Sequence, residues 1–137
     1  MYVYNYIDVD FHFQAEATDI TFSHVARIAG EFGGSVVDHN SKVVVIAWPD
    51  VPESPLRLKN KAAVTCAFKI AQAVTTIKSE HEKQTKGGAR LQSMTCGIGC
   101  GTLSLLVCGG CLGRLYCIPT GPAYADANYA IAAAQVR

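Results

Sequence analysis

Apolar residues occur along this chain in two ways, as short continuous runs and as longer segments with an apolar residue every three or four positions. The first pattern predicts buried strands, and the second predicts helices with one apolar face. The most informative stretch is Phe32–Trp48, which predicts a strand, a tight turn and a strand. Gly33-Gly34 ends the helical pattern before it, and Asp38–Ser41 supplies turn-forming side chains. Lys42–Trp48 is mostly Val, Ile and aromatic, which is typical of a strand buried on both faces.

The same patterns place further elements on either side of this stretch. Before it, Thr18 and Asp19 supply an N-cap for a helix whose apolar positions extend to Ala29. After it, a proline-rich segment precedes the longest helical pattern, Leu58–Lys78. The other predicted elements are a first strand over Tyr2–Phe13, a charged loop over Ser79–Arg90, strands over Met94–Gly101, Leu103–Val107 and Leu115–Ile118, and a helix over Pro122–Gln135.

The predicted order is strand, helix, strand, strand, helix, strand, followed by a hairpin strand and a final helix. This order predicts an α+β fold, a sandwich of the ferredoxin-like type in which an antiparallel sheet carries helices on one face. A chain of 137 residues suffices for one domain with a sizeable core and is too short for two. We therefore expect a single domain over residues 1–137.

Composition excludes several classes of protein. Half of the residues are hydrophobic and only 17% are charged, which excludes a disordered tail. The formal net charge is +1, and the Lys and Arg residues are scattered, so we expect no nucleic-acid partner. The first residues contain no basic segment followed by an apolar one, which favours a protein without a signal peptide.

One uncharged segment, Leu91–Gly113, has the length of a membrane-spanning helix. Glycine and polar residues recur throughout it, however, and they favour a buried β-hairpin instead. We therefore predict no membrane span.

The chain has six cysteines, which without a signal peptide favour reduced thiols in a cytosolic protein. Cys108-Gly-Gly-Cys111 is a CxxC, which is half of a zinc site or a redox pair. Because no second pair with zinc-ligand spacing is present, we favour small buried residues on strands that meet at a Gly-Gly turn. Metal binding is the alternative.

The Phe32–Trp48 stretch resembles the central hairpin of the class III nucleotidyl cyclases, most closely the first catalytic half of the soluble, bicarbonate-responsive adenylyl cyclases. Thr95–Val107 resembles the family's next strand pair, and Ile118–Ala134 its following helical segment. The resemblance covers about Asp19–Ala134 and implies an abbreviated cyclase domain that lacks family segments at both ends. The residues of the hairpin that match are Phe32, Gly33, Gly34, Val36, Val37, Val43–Val45 and Trp48.

The polar positions of the family's site are changed in this chain. A metal-binding Asp of the family corresponds to Lys42, the family's Lys before the turn corresponds to Asp38, and the family's Arg falls on Asn128 or, in the other register, on Ala127. In the soluble cyclases this Lys and this Arg line the bicarbonate-responsive pocket. Asp8 aligns with the Asp that binds the first metal. The resemblance thus implies a degenerate nucleotide and effector site with Asp8 as its remaining metal ligand.

Each of these residues also has a structural interpretation that involves no ligand. Asp8 is then a solvent-facing residue on an edge strand. Asp38 and Lys42, four residues apart across a turn, form a surface ion pair that contributes little to stability.

Three hypotheses about function follow from the resemblance. The first is a degenerate cyclase-homology domain that acts as a non-catalytic half and dimerises with another cyclase domain. The second is a contributing half of an active heterodimer that makes cyclic AMP from ATP, with Mg²⁺ or Mn²⁺ as cofactor. The third is a structural module of a larger assembly, which the uncharged Leu91–Gly113 surface would suit. The resemblance also implies a cytoplasmic location associated with a cilium or flagellum.

Overall fold

The computed structural model describes residues 2–9, 15–39, 43–48, 56–84, 94–110 and 113–135. Six strands and three helices lie in these ranges. In chain order they are β1 (Tyr2–Val9), α1 (Ala15–Glu31), β2 (Ser35–His39), β3 (Val43–Trp48), α2 (Leu56–Gln84), β4 (Met94–Gly101), β5 (Ser104–Gly109), β6 (Leu115–Thr120) and α3 (Pro122–Gln135).

The main sheet has four strands in the order β2-β3-β1-β4, and every neighbouring pair is antiparallel. The sequence of these strands and of α1 and α2 along the chain is that of a ferredoxin-like sandwich. The predicted α+β fold with an antiparallel sheet is therefore confirmed. β5 and β6 form a separate two-stranded sheet.

Both faces of the main sheet are covered, because successive side chains of a strand point to opposite faces. Val44, Ile46 and Trp48 of β3 pack on buried residues of α1 and α2. Val45 and Ala47 pack on the other side, with Leu103 and with Ala123 of α3. Val44 to Trp48 are all buried, as predicted for a strand enclosed on both faces. α1 and α2 therefore share one face, as predicted, and α3 lies on the opposite face, where the prediction placed no helix.

Glycines in β4 allow α3 to lie directly on the sheet. A Cβ added at Gly99 would overlap the carbonyl oxygen of Ala123 in α3. One added at Gly97 would overlap the carbonyl oxygen of Ala127 and lie 2.7 Å from Cγ1 of Ile131. The contact between helix and strand at these positions is therefore one of backbone on backbone.

The turn after α1 explains the Phe-Gly-Gly motif and its distant Trp. Gly33 has φ +73°, and the amide of Gly34 donates to the carbonyl of Ala29 at 2.8 Å, which is the Schellman end of a helix. The indole of Trp48 covers Gly34 so closely that an added Cβ would lie 2.7 Å from Cζ2. Its Nε1 donates to the carbonyl oxygen of Phe32 at 2.8 Å. The motif thus fastens the end of α1 to the end of β3.

Several predicted boundaries were wrong, and those of α1, α2 and β2 show why. α1 begins at Ala15 rather than near Thr18, and α2 continues to Gln84 through half of the predicted charged loop. The added residues, Ala15–Ala17 and Ser79–Gln84, are mostly good helix formers and include no Gly or Pro. β2 extends through Asp38 and His39, which were predicted as turn, because an irregularity in its pairing with β3 after Val36 lets the strand continue.

The predicted buried hairpin over Leu91–Gly113 was wrong. β4 belongs to the main sheet, whereas β5 pairs with β6. Between them the chain crosses at Thr102 and Leu103, and Leu103 is buried under α3. All six residues of β5 are exposed. Among the described helices, none is both long and apolar enough to cross a membrane.

Candidate functional site

Of the two positions that the resemblance assigns to metal binding, Asp8 lies in the part of the chain that the structure describes. Asp8 of β1 is paired in register with Val43 at the start of β3. Lys42 itself lies outside the described residues, but it immediately precedes Val43 in the chain. β1 is an inner strand, between β3 and β4, so the interpretation of Asp8 as an edge-strand residue was wrong.

This pair of residues does not fit a divalent metal. Mg²⁺ and Mn²⁺ prefer carboxylate oxygens, and the two residues supply one carboxylate and one ammonium group. Within the ranges that the structure describes, no three His, Cys, Asp or Glu residues are grouped closely enough to hold a metal ion. By residue type, the two positions supply one of the two carboxylates that the resemblance assigns to metal binding.

Asp38 lies in a cleft between β2 and the hairpin of β5 and β6. The cleft has a volume of about 490 Å³ and is lined by Val36–His39 on one side and Leu115–Ile118 on the other. His39 in the same wall places its ring 4.4 Å from that of Phe22 in α1. A carboxylate in this wall gives the cleft a negative charge and opposes the binding of an anion such as bicarbonate or phosphate.

Asn128 lies elsewhere, on α3. Its Nδ2 donates to the carbonyl oxygen of Tyr124 at 3.0 Å, one turn earlier in the same helix. α3 rests on β4 and β1, whereas Asp38 is on β2 at the other edge of the sheet. The two residues therefore lie on different elements, Asp38 at the β2 edge of the sheet and Asn128 on the helix that covers β4 and β1. Their roles in binding stay predictions.

The described cysteines differ in burial, and Cys117 of β6 is half-buried. Cys66 of α2 is buried and Cys96 of β4 is half-buried, both on the α1 and α2 face of the sheet. Cys100 and Cys108 are exposed, so the prediction of buried strand cysteines was wrong for these two. All five described cysteines are free thiols. Cys111 of the CxxC lies outside the described residues.

Sequence inspection did not reveal that Cys66 and Cys96 are neighbours, because they lie on different elements 30 residues apart. Burial, and to a lesser extent Cys96, raises the pKa of the Cys66 thiol from 9.0 to about 12. Burial raises the pKa of Cys96 to about 11. Both thiols are therefore neutral at physiological pH and poor nucleophiles.

These pKa values predict that the domain loses stability in alkali. The unfolded chain releases the two protons near pH 9, and the folded chain holds them until about pH 11 to 12. The stabilisation is complete below pH 9 and falls as the pH rises through this window. Denaturant unfolding at several pH values between 8 and 11.5 measures the slope.

A matched pair of variants isolates this effect from the titration of Tyr and Lys. Cys66→Ala should reduce the alkaline slope of the free energy of unfolding, whereas Cys100→Ala, at an exposed position, should leave it unchanged. Equal slopes in the wild type and Cys66→Ala would contradict the assignment.

No family model matches the chain, and no curated protein sequence matches it. Its fold, in contrast, is that of solved nucleotidyl cyclase domains. The adenylyl cyclase CyaB from P. aeruginosa is 16% identical, with a TM-score of 0.73 over 94% of this chain and 68% of that one. The guanylate cyclase domain of RhGC from Catenaria anguillulae, solved with GTP, is 17% identical, with a TM-score of 0.67 over 94% and 69%.

A third similar structure is the dimeric guanylyl cyclase domain of the RhoGC fusion protein from the aquatic fungus Blastocladiella emersonii. It is 12% identical, with a TM-score of 0.69 over 96% of this chain and 72% of that one. The chain thus has the fold of a nucleotidyl cyclase catalytic domain and spans roughly 70% of the length of these three solved chains. That the chain resembles the soluble adenylyl cyclases more than other class III cyclases stays a prediction.

Proposed function

We propose that this domain keeps the nucleotidyl cyclase scaffold without a working metal site, and that it acts as a non-catalytic half that pairs with another cyclase-like domain. The observation that carries the proposal is the register that pairs Asp8 with Val43, the residue that directly follows Lys42 in the chain. The described residues around it form a four-stranded antiparallel sheet with three helices.

Charge explains why Lys42 would disable the site. Cyclisation of a nucleoside triphosphate in this family needs two divalent ions, which activate the nucleophile and neutralise the phosphates. An ammonium group about 4 Å from a cation repels it by ~4 kcal/mol per unit charge at intermediate dielectric. A Lys can contact a phosphate in place of an ion, but as a single point charge it supplies none of the metal's coordination geometry.

The positions that correspond to the family's bicarbonate-responsive residues, Asp38 and Asn128, are also unsuited to bicarbonate. Asp38 adds a negative charge to the wall of its cleft, and the Asn128 amide is bonded within α3. Neither provides the positive charge that the family's Lys and Arg supply at the corresponding positions. We therefore expect no response to bicarbonate through these residues.

A specific observation favours a second candidate, a contributing half of an active heterodimer that makes cyclic AMP from ATP. Asp8 keeps the family's acidic residue on β1, and the RhGC domain with this fold was solved with GTP. In that case a partner domain completes the metal site. The predicted cytoplasmic and cilium-associated location is a proposal that rests on the resemblance alone.

A cyclase assay on the purified domain tests the proposal. With ATP or GTP and Mn²⁺, we expect no cyclic nucleotide above the level without protein, and no effect of added bicarbonate. A purified active cyclase domain such as that of CyaB serves as the positive control. Metal-dependent product from this domain alone would overturn the proposal.

A further inference from the structure

An extra residue in β2 decides which face of the main sheet carries Asp38. Val36 of β2 pairs with Ile46 of β3, and Asp38 pairs with Val45, so Val37 has no partner residue of its own. This is a β-bulge, in which two residues of one strand lie opposite one residue of the other. Bulges turn the side chains that follow them, and they are common beside binding sites.

The bulge moves Asp38 away from the face that α1 and α2 cover. In a register without the extra residue, Asp38 would lie opposite Val44, which packs on α1 and α2. In the observed register it lies opposite Val45, which packs with Leu103 and with α3. Paired residues share a face of the sheet, and a shift of one residue moves the side chains that follow to the other face. Asp38 therefore lies on the face that carries α3.

The neighbours of Asp38 in β2 agree with this placement. Val37 packs on the cluster of the α3 face. His39 follows Asp38 on the opposite face, where its ring lies 4.4 Å from that of Phe22 in α1. The bulge thus separates the carboxylate from the helical core and leaves the imidazole beside α1.

On the α3 face, Asp38 lines the cleft of about 490 Å³ between β2 and β6. This volume lies within the range of small-molecule binding sites, which combine apolar walls with a few polar groups. The walls here are apolar at Val36, Val37, Leu115 and Ile118, and Tyr116 adds an aromatic ring. Among the described residues that line the cleft, none is Lys or Arg.

We propose that this cleft binds a small organic cation, an ammonium or guanidinium group on an apolar body. The Asp38 carboxylate accepts the hydrogen bonds of the cationic group, which are strong because both partners are charged. The ring of Tyr116 attracts the same charge, and the apolar walls contact the body of the ligand.

The composition of the cleft favours an organic cation over a metal ion or an anion. A metal ion would find one carboxylate in this lining, whereas hard divalent ions usually take several oxygen ligands. An anion would be repelled by Asp38. The preference is the reverse of the bicarbonate response that the resemblance implies for this position. The inference goes beyond the proposed function and does not depend on it.

NMR titration of the whole chain at neutral pH, with three probes of similar size, tests the inference. The probes are phenethylammonium, the neutral phenethyl alcohol and the anion hydrocinnamate. We expect phenethylammonium to bind with a Kd below about 1 mM, and the other two to bind at least about fivefold more weakly. The methyl signals of Val37 and Ile118 should shift, whereas those of Ile28, in the groove between α1 and α2, should not.

Substitutions at Asp38 separate charge from shape. Asp38→Asn should weaken phenethylammonium binding at least about fivefold and leave phenethyl alcohol unchanged, because it keeps the size of the side chain and removes its charge. Asp38→Lys should reverse the preference towards hydrocinnamate. The matched control is Asp126→Asn on α3, an exposed carboxylate outside the cleft, which should leave phenethylammonium binding unchanged.

Four results would overturn the inference. They are no binding of phenethylammonium, equal affinity for the three probes, shifts at Ile28 instead of Val37 and Ile118, and equal losses in Asp38→Asn and Asp126→Asn. The titration contains no nucleotide and no divalent metal, so its failure is distinguishable from failure of the proposed function.

Discussion

Replacing Gly99 by valine is expected to detach α3 from the sheet and to lower the free energy of unfolding by about 3 kcal/mol or more. The first carbon of the new side chain would overlap the Ala123 carbonyl oxygen and lie 2.9 Å from the backbone nitrogen of Ala127. Both obstacles are backbone atoms of one helix, so they cannot move aside as a flexible side chain can. Urea unfolding followed by circular dichroism measures the loss.

The matched control is Gly30→Ala in α1. An added Cβ at Gly30 has no atom within 4 Å, and alanine favours a helix over glycine by about 1 kcal/mol. The control should therefore equal or exceed the wild type in stability. A Gly99→Val domain with the wild-type midpoint and slope would show that α3 does not lie on β4 as described.

The fold was largely predictable because its signals are local. The continuous apolar run Val43–Trp48 predicts a strand that is buried on both faces. The Gly33-Gly34 pair predicts the end of the preceding helix. The final helix, Pro122–Gln135, was predicted with its observed bounds. These signals depend on a few neighbouring residues, and they set the order of elements from which the ferredoxin-like arrangement follows.

The errors arose where distant parts of the chain decide the outcome. No local sequence feature distinguishes pairing of β5 with β4 from pairing of β5 with β6. Leu103 becomes buried only through its contacts with residues of α3 and β3, which are distant in the chain. The Trp48 bond to Phe32 likewise joins residues 16 apart. The extension of β2 through Asp38 depends on an irregularity in its pairing with β3. The residues at this position are typical of turns, so the sequence predicted a turn instead.

The candidate site was predictable only as a set of substituted positions. The resemblance pointed to Asp8, Asp38, Lys42 and Asn128. The structure sets Asp8 opposite Val43, lines a cleft with Asp38 and keeps Asn128 on another element. Because side-chain identity sets charge while fold sets position, the sequence could indicate a lost charge pattern but not which of these residues would meet.

Restoring a carboxylate should restore the site if Lys42 is what disabled it. Lys42→Asp would add a second acidic residue directly before Val43, which pairs with Asp8, and carboxylate oxygens are the ligands that Mg²⁺ and Mn²⁺ prefer. We expect this variant to bind ATP or GTP at least about tenfold more tightly with Mn²⁺ than with EDTA, a difference of about 1.4 kcal/mol.

Two controls separate the gain of a ligand from the loss of a charge. Lys42→Gln removes the ammonium group without adding a carboxylate, and it should not restore metal-dependent binding. Adding Asp8→Asn to Lys42→Asp should abolish the gain, because one carboxylate then remains. Binding by the Gln variant equal to that of the Asp variant would show that repulsion alone, and not a missing ligand, explains the defect.

The most direct test of the central claim is calorimetric titration of ATP and GTP into the wild-type domain, with Mg²⁺ or Mn²⁺ and beside Lys42→Asp. The account predicts no metal-dependent binding by the wild type and a measurable gain in the variant. Metal-dependent nucleotide binding by the wild type would contradict it, and the domain would then be a contributing half of an active cyclase.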